Sequence, residues 1–201
     1  MAGFCFMRLY PVHLLLEGKR ALVVGGGEVA AAKARAMLEA GATVHVIAPE
    51  LSPEMKELAD LSSLSIDRRE FAREDLQGIS IAIAATDRPE VNQIVFEEAE
   101  RRNILVCGVD DPSRSNFIVP AVLRRGDLLL TVSTSGRAPA LSSRIRDYLG
   151  EIFGEEYAHL MVRLGAIRER LKREYPDPAR RREAWYRLID TRIIQIGRAH
   201  V

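Results

Sequence analysis

The 201-residue sequence lacks the features that mark secreted, membrane-spanning and metal-binding proteins. Its two cysteines, Cys5 and Cys107, lie too far apart for a disulfide framework or a metal-ligand pair. The four histidines are equally scattered. Neither apolar run near the start is long enough to span a bilayer, and nothing resembles a cleavable signal peptide. These absences predict a protein of the reducing cytoplasm without a resident metal.

An excess of charge of one sign is also missing, because the net charge is only +1. Bulk charge therefore indicates neither a nucleic acid nor a membrane as partner. The distribution is uneven, however: residues 112–147 carry six arginines against two aspartates, the arginines being Arg114, Arg124, Arg125, Arg137, Arg144 and Arg146. This basic segment is a candidate face for an acidic small molecule, with an ordinary solvated surface as the alternative.

Hydrophobic residues make up 47% of the chain, enough for a substantial core. In its first half, apolar runs typical of strands alternate with helical patterns. The strands are predicted at Ala21–Val24, Thr43–Ala48, Ser63–Asp67, Ile79–Ala85 and Ile104–Val109, and the helices at Glu28–Ala40, Pro53–Leu61 and Pro89–Arg102. This alternation predicts an α/β fold with a Rossmann-like, doubly wound parallel sheet.

Cap signals bound these predicted helices. Gly41 suits the position just after the first helix, and Ser52 suits the N-cap of the second. Asp87 is predicted as the N-cap of the third, with Pro89 at the second helical position and Glu90 as a capping carboxylate.

After Asp111-Pro112 the pattern changes to a small α/β unit of one helix, one or two strands and another helix. Phe117–Leu123 is apolar, Leu128–Ser133 is strand-like and Ala140–Gly150 begins a helix. Residues 151–194 are charged and helical, with a break at residues 175–178. Residues 195–201 resemble translated adapter sequence and are treated as a non-native tail.

The stretch Gly25-Gly26-Gly27-Glu28-Val29-Ala30, between the first predicted strand and helix, carries the clearest functional signal. It predicts dinucleotide binding. Gly25 permits the tight turn, Gly27 lets the backbone approach a pyrophosphate, and Ala30 allows close packing of helix on strand. The phosphates are expected over the unpaired N–H groups of the helix N-terminus. A plain structural turn is the alternative.

Two further positions are candidates for the cofactor ribose. Glu50 follows the second strand, slightly later than the acidic residue that binds the ribose hydroxyls of NAD, and Thr86 follows the fourth. No arginine or lysine stands between Thr43 and Met55 to receive a 2′-phosphate, which favours NAD over NADP. The alternatives are a loop carboxylate for Glu50 and helix capping for Thr86 and Asp87.

Asp110 ends the fifth predicted strand, at the edge where open α/β sheets place their chemistry. It is the candidate catalytic residue, able to take a proton or orient a substrate amine, with turn capping before Pro112 as the alternative. Cys107 is predicted to be buried and inert. Three aromatic residues are predicted to share a helical face and pack in the core, namely Tyr148, Phe153 and Tyr157.

Several of these stretches, in this order, resemble the precorrin-2 dehydrogenase family, which is also the N-terminal module of siroheme synthase. The matching stretches are Tyr10–Val12, Gly18–Ala30 with Lys33, Ala84–Asp87 with Asn92, Val109–Pro112, Asn116–Ala121, Ser133–Gly136 and Ala138–Ala140. The likeness covers roughly residues 8–150 and continues more weakly to about Arg187.

The resemblance implies NAD-dependent oxidation of precorrin-2 to sirohydrochlorin in siroheme biosynthesis, with insertion of ferrous iron in some members. It implies NAD contacts at Glu28, Val29, Pro49 and Glu50, and catalysis at Asp110. For the carboxylates of the macrocycle we expect Arg114, Asn116 and Arg137 as binding residues. Thr134 stands where siroheme synthases often carry a serine that can be phosphorylated, so that serine is not retained.

The resemblance also implies a homodimer, which the cysteine usage and the balanced charge predict to lie in the cytoplasm without a nucleic acid or a membrane as partner. The expected domains are an NAD-binding Rossmann domain at 1–112, a dimerisation and substrate-binding segment at 113–150 and a helical C-terminal region at 151–194. Two other functions stay open: a regulatory domain that senses NAD without chemistry, and a fragment of a trifunctional siroheme synthase.

Overall fold

A computed structural model describes residues 9–109 and 111–190, in two compact units that divide between Val119 and Pro120. The first unit contains β1 (Arg20–Val24), β2 (Thr43–Ile47), β3 (Leu64–Asp67), β4 (Ile81–Ala84) and β5 (Leu105–Gly108). Its helices are α1 (Glu28–Glu39), α2 (Pro53–Leu58) and α3 (Pro89–Arg101). The five strands are all parallel, in the order β3-β2-β1-β4-β5. The predicted Rossmann-like sheet is therefore confirmed.

The central strand β1 packs on both faces, as a doubly wound sheet requires. Ala21 and Val23 belong to the apolar cluster that includes residues of α1 and α2, whereas Leu22 and Val24 belong to the cluster that includes residues of α3. Because successive side chains of a strand point to opposite faces, this strand is apolar at every position from Ala21 onward. Helices on both faces leave the carboxyl edge of the sheet free for a ligand.

The cap predictions have different outcomes. Gly41 adopts a φ of +85° just after α1, and the Ser52 hydroxyl accepts a hydrogen bond from the backbone N–H of Met55 at 3.2 Å, so both predictions are confirmed. The third is wrong: the N-cap of α3 is Arg88, and Pro89 is its first residue. A residue before proline is pushed into the extended region, and Arg88 has φ −105° and ψ 99°.

The second unit contains the antiparallel pair β6 (Ala121–Arg125) and β7 (Leu128–Val132), followed by α4 (Pro139–Ile152), α5 (Glu156–Glu174) and α6 (Pro178–Asp190). The predicted leading helix is absent from the described residues of this unit, because the apolar run near residue 120 forms β6 instead. The predicted break near residue 176 is confirmed. A second break between α4 and α5 was not predicted.

That second break corrects the predicted aromatic face. Phe153 caps the end of α4 and Tyr157 lies in the first turn of α5, where the two rings make an edge-to-face contact at 5.0 Å. Tyr157 is buried, but Tyr148 on α4 is 61% exposed and does not pack in the core. Cys107 is half-buried in β5 rather than fully buried.

None of the described helices is long and apolar enough to cross a membrane. Within residues 9–109 and 111–190 there is also no group of three or more histidine, cysteine, aspartate or glutamate side chains arranged to hold a metal ion. Cys5, Asp110, His200 and the tail at 195–201 lie outside the described residues.

Candidate functional site

A cleft of about 840 Å³ opens in the first unit at the carboxyl edge of the sheet. Strand order reverses here, because β1 pairs with β2 on one side and with β4 on the other. In open α/β sheets such a reversal forms a crevice for a ligand. The lining includes every cofactor-binding residue predicted from the sequence: Gly25, Gly27, Glu28, Val29, Pro49, Glu50 and Thr86. The cleft therefore brings these residues together, while their individual roles stay predictions.

Gly25 forms the turn between β1 and α1. Its φ is +126°, a conformation that L-residues with side chains rarely adopt. A Cβ atom at this position would collide with the backbone carbonyl of Ala85. The Gly25 N–H donates to the Ile47 carbonyl at 2.9 Å, so the turn is also tied to the end of β2. Glycine at this position is required by the fold itself.

Gly26 has a packing role that the sequence did not reveal. A Cβ atom here would collide with the Glu50 carbonyl and lie 2.8 Å from the Ala48 Cβ. The Gly26 carbonyl accepts a hydrogen bond from the Ser52 N–H at 2.8 Å. The loop after β2 thus lies directly against the turn, which places Glu50 on the wall of the cleft.

Gly27 differs from its two neighbours because no protein atom lies within 4 Å of a Cβ built on it. It is the N-cap of α1, with an ordinary φ of −78° and without a side-chain hydrogen bond to the helix. The first N–H groups of α1 are therefore left without a capping side chain at the cleft. A helix N-terminus without a capping side chain, next to a glycine backbone that a ligand can approach, fits the pyrophosphate of a dinucleotide.

The charged lining of the cleft is predominantly acidic. Its carboxylates are Glu28, Glu50, Glu70 and Asp87, and its one cation among the described lining residues is Arg88. The Arg88 guanidinium is already paired with Glu70 at 2.7 Å and with Glu90 at 2.8 Å, and these carboxylates raise its pKa. A cleft of this charge disfavours the extra phosphate of NADP and suits NAD.

Thr86 is engaged in a local network at the start of α3. Its hydroxyl lies 2.8 Å from the Asn92 Oδ1 and accepts a hydrogen bond from the Arg88 N–H at 3.2 Å. The Asn92 amide donates back to the Thr86 carbonyl at 2.9 Å. These bonds tie Thr86 to the residues around the start of α3 without capping a helical N–H group, and its contact with the cofactor ribose stays a prediction.

Two predicted residues near the end of β5 make bonds within the protein. Arg114 donates to the Gln93 side chain at 2.8 Å and pairs with Asp111 at 3.1 Å. The Asn116 carboxamide accepts from the Val106 N–H at 2.8 Å and donates to the Ile104 carbonyl at 3.0 Å, so it secures β5. The predicted substrate roles of Arg114 and Asn116 stay predictions beside these structural ones.

Asp111 caps the turn that follows β5. Its carboxylate accepts hydrogen bonds from the Ser113 hydroxyl and backbone N–H, and the hydroxyl contact lowers the pKa of Asp111 most. The turn-capping alternative is thus realised at Asp111. Its neighbour Asp110, the predicted catalytic residue, lies outside the described residues. Val109, the residue before it, lines the cleft.

Two other positions singled out in the sequence lie in the second unit. The Thr134 hydroxyl accepts a hydrogen bond from the Ala138 N–H at 3.1 Å and lies 3.0 Å from the hydroxyl of buried Ser142. Thr134 therefore organises the loop before α4. The Arg137 N–H donates to the Thr134 carbonyl at 3.1 Å, which places Arg137 in the same loop.

The fold and the cleft define a Rossmann-type dinucleotide-binding protein. Residues 12–121 match the family described as "Putative NAD(P)-binding". The solved structure of SirC, precorrin-2 dehydrogenase, has a TM-score of 0.79 and 31% identity to this chain, over 93% of this chain and 92% of that one. This chain belongs to the precorrin-2 dehydrogenase family, as its motifs indicated. The prediction of NAD as cofactor agrees with this family.

The similar curated proteins are longer. Siroheme synthase 3 of Aeromonas hydrophila is 40% identical over 183 residues, which is 91% of this chain and 39% of that protein. The siroheme synthase of Chromobacterium violaceum is 40% identical over 184 residues, 92% of this chain and 39% of its own length. The chain thus spans 39% of the length of these two relatives, but nearly the whole of SirC.

Proposed function

We propose that this chain catalyses the NAD-dependent oxidation of precorrin-2 to sirohydrochlorin, a step of siroheme biosynthesis. The observation that carries the proposal is the cleft at the switch point of the sheet, in a chain that matches a precorrin-2 dehydrogenase over 93% of its length. The reaction moves a hydride from the macrocycle to NAD and releases a proton, so the site needs a dinucleotide cradle and a proton acceptor.

The glycine turn and the N-terminus of α1 are the proposed cradle. Gly27 offers bare backbone, and the first N–H groups of α1 favour the negative charge of the pyrophosphate. Glu50, whose loop lies against this turn, is proposed to accept hydrogen bonds from ribose hydroxyls. When bound, NAD supplies the hydride acceptor, and the chain supplies orientation.

Asp110 is the proposed proton acceptor. It follows Val109, which lines the cleft, and it stands beside Asp111 in the sequence. The carboxylate of Asp111 is occupied by Ser113 and Arg114 and is held in its charged form by a lowered pKa. Of this aspartate pair, Asp110 is therefore the one proposed to take a proton from the substrate.

The carboxylates of precorrin-2 are proposed to bind cationic and amide side chains of the basic segment, residues 112–147. Arg114, Asn116 and Arg137 are the proposed contacts. Arg114 already holds Asp111, so a substrate carboxylate at Arg114 would join an existing ion pair rather than create a new one. The expected kinetic consequence is that Arg114 substitutions change the KM for precorrin-2 and also disturb the turn after β5.

The enzyme is proposed to act as a homodimer in the cytoplasm. The exposed side chains of Leu141, Ile145 and Tyr148 form an apolar stripe along α4, at spacings that place them on one face of the helix. An exposed stripe of this kind suits a protein interface. We name these three residues the α4 stripe.

The test is product analysis with precorrin-2, NAD and ferrous iron, each omitted in turn. Sirohydrochlorin and NADH formed only when both precorrin-2 and NAD are present would support the dehydrogenase. Siroheme formed only on addition of iron would add ferrochelation, an activity that the resemblance implies for some members of the family. NAD binding without any product would instead favour a regulatory NAD sensor.

A second candidate rests on length, since siroheme synthases extend well beyond the matched region. In that case the chain is the dehydrogenase module of a larger synthase that also carries a methyltransferase. The reading frame after residue 194 in the source gene decides this, because a stop codon there leaves only the stand-alone enzyme.

A further inference from the structure

The second unit contains a groove of about 500 Å³ between α5 and α6. Arg168, Leu171 and Lys172 share one face of α5, while Arg181, Arg182 and Trp185 share one face of α6. No carboxylate is among the described lining residues. The groove shares no residue with the cleft of the first unit. The groove therefore combines four cationic side chains with the aromatic ring of Trp185.

Two of the four cations are bound by the chain itself. The Arg181 guanidinium donates to the carbonyls of Tyr175 and Pro176 at 3.1 and 3.4 Å, so it stabilises the turn between the helices. Lys172 pairs with Glu169 at 2.5 Å. These contacts engage two of the four cationic side chains, but only the Lys172 charge is paired with a carboxylate.

The guanidinium groups of the other two cations, Arg168 and Arg182, form no ion pair or hydrogen bond within the described residues. The charge of Arg168 does contribute, after that of Lys172, to the lowered pKa of Glu169. Both arginine side chains are exposed on the groove, next to Lys172 and Arg181. Like charges held this close repel one another, and an anion between them relieves the repulsion. A guanidinium is also well shaped to hold a carboxylate or phosphate through two parallel hydrogen bonds.

The groove also has an apolar part, which suits an anion that carries an apolar ring. Trp185 is half-buried, and Leu171, which lines the same groove, is buried with only 8% of its surface exposed. A tryptophan ring beside arginines offers a flat face on which an aromatic ring stacks. The volume is in the range of sites for small organic ligands. The lining therefore favours a flat, anionic small molecule over a bare inorganic ion.

We propose that the α5–α6 groove binds a small aromatic anion, with its ring against Trp185 and its phosphate or carboxylate group held by Arg168 and Arg182. The groove shares no lining residue with the proposed NAD cleft and would give the protein a second, non-catalytic ligand. The shared chemistry, a ring with an acidic group, can come from a mononucleotide or from an aromatic carboxylic acid.

The test uses the fact that Trp185 is the single tryptophan of the chain, so its fluorescence reports this groove alone. The intact protein is titrated with AMP, isophthalate, inorganic phosphate and adenosine. The expected result is a saturable change with AMP or isophthalate. The tighter of the two identifies the acidic group. Phosphate and adenosine, which carry only one half of the ligand each, are expected to bind at least about tenfold more weakly.

Matched variants test whether ligand binding depends on the arginines of the groove rather than on a general loss of folding. Arg168→Gln and Arg182→Gln are each expected to weaken binding about tenfold or more, because each removes a charged hydrogen-bond donor. Arg182→Lys is expected to retain part of the affinity, which shows that charge rather than misfolding is responsible. Arg163→Gln, exposed on α5 before the groove, is the control and is expected to bind like the parent protein.

Three results would overturn the proposal. The first is no saturable fluorescence change with either AMP or isophthalate. The second is an unchanged response in the Arg168→Gln/Arg182→Gln double variant, which would place the ligand elsewhere. The third is inorganic phosphate binding as tightly as AMP, or single-stranded RNA binding where AMP does not, since either assigns the groove to a different partner. Catalytic activity is not the readout, so none of these results affects the proposed dehydrogenase function.

Discussion

Three consecutive glycines at the end of β1 have three different physical roles. Gly25 has a positive φ, Gly26 lies against the loop after β2, and Gly27 has neither constraint. Because no protein contact requires glycine at position 27, the space left by its missing side chain is available to a ligand. The sequence predicted the tight turn at Gly25, which the structure shows, while the role of Gly27 towards a pyrophosphate stays a prediction. The contact of Gly26 with Glu50 depends on the path of a distant loop and leaves no local signal.

Replacing Gly27 by serine separates folding from cofactor binding. Serine suits an N-cap with this extended backbone, and no protein atom blocks its Cβ, so the thermal stability is expected to stay equal or rise slightly. Its hydroxyl would cap the N–H groups and occupy the pyrophosphate position. We therefore expect the Kd for NAD to rise about tenfold or more, measured by titration.

Gly26→Ala is the contrasting variant for this experiment. Its methyl group meets the Glu50 carbonyl and the Ala48 side chain, so loss of thermal stability is expected as well as loss of binding. A Gly27→Ser protein that binds NAD as tightly as the parent would show that the pyrophosphate does not lie over this turn.

At the scale of elements, α3 is fixed to its surroundings by a buried carboxylate. Glu98 is only 3% exposed and is paired with Arg101 of its own helix, with Arg102 at the helix C-cap and with Arg73 from a short 3-10 helix before β4. The hydrogen bond from Arg101, followed by that from Arg102, lowers the pKa of Glu98 to about 2. The cluster holds the helix that lies against one face of the sheet.

This lowered pKa predicts a pH dependence of stability. A carboxyl with a lower pKa in the folded state binds protons less tightly there, so its stabilisation is present above the ordinary value of 4.5. It is lost progressively as the pH falls towards about 2. Glu98→Gln is therefore expected to be less stable than the parent at neutral pH, with the difference shrinking in acid.

The measurement is thermal unfolding of both proteins over a series of pH values. Glu97→Gln, which changes an exposed carboxylate on the same helix, is the control and is expected to unfold like the parent throughout. A stability difference for Glu98→Gln that does not change with pH would contradict a role for this ionised cluster.

Element boundaries show what sequence patterns can and cannot predict. All five strands of the sheet were predicted close to their observed bounds. Buried strands such as β1 and β4 form clear apolar runs, whereas the edge strand β3 alternates apolar and polar residues. The N-cap of α3 was assigned to Asp87 because a capping residue was expected before proline, whereas the steric effect of Pro89 made Arg88 the cap. The Asn92 side chain that reaches back to Thr86 depends on tertiary geometry and could not be read from the sequence.

At the scale of the whole molecule, the α4 stripe predicts self-association. Leu141 is 52% exposed, Ile145 37% and Tyr148 61%. Exposure of apolar surface to water is unfavourable, and burial of these side chains against a second copy of the chain would remove that cost. Ile145→Glu is expected to give a monomer by sedimentation, since a buried unpaired charge is unfavourable. Asp147→Lys, which reverses an exposed charge on the same helix away from the stripe, is expected to stay dimeric. A parent protein that sediments as a monomer at micromolar concentration would contradict the proposed homodimer.

The central claim is that NAD bound in the cleft oxidises precorrin-2 while Asp110 accepts the proton. The most direct measurement is the appearance of NADH on addition of precorrin-2 to the parent protein, to Asp110→Asn and to Asp111→Asn. The account predicts NADH formation by the parent, a loss of about a hundredfold or more in kcat for Asp110→Asn with its NAD affinity retained, and a smaller loss for Asp111→Asn. Unchanged activity in Asp110→Asn would contradict the catalytic assignment, and a parent protein that binds NAD but forms no NADH from precorrin-2 would contradict the function.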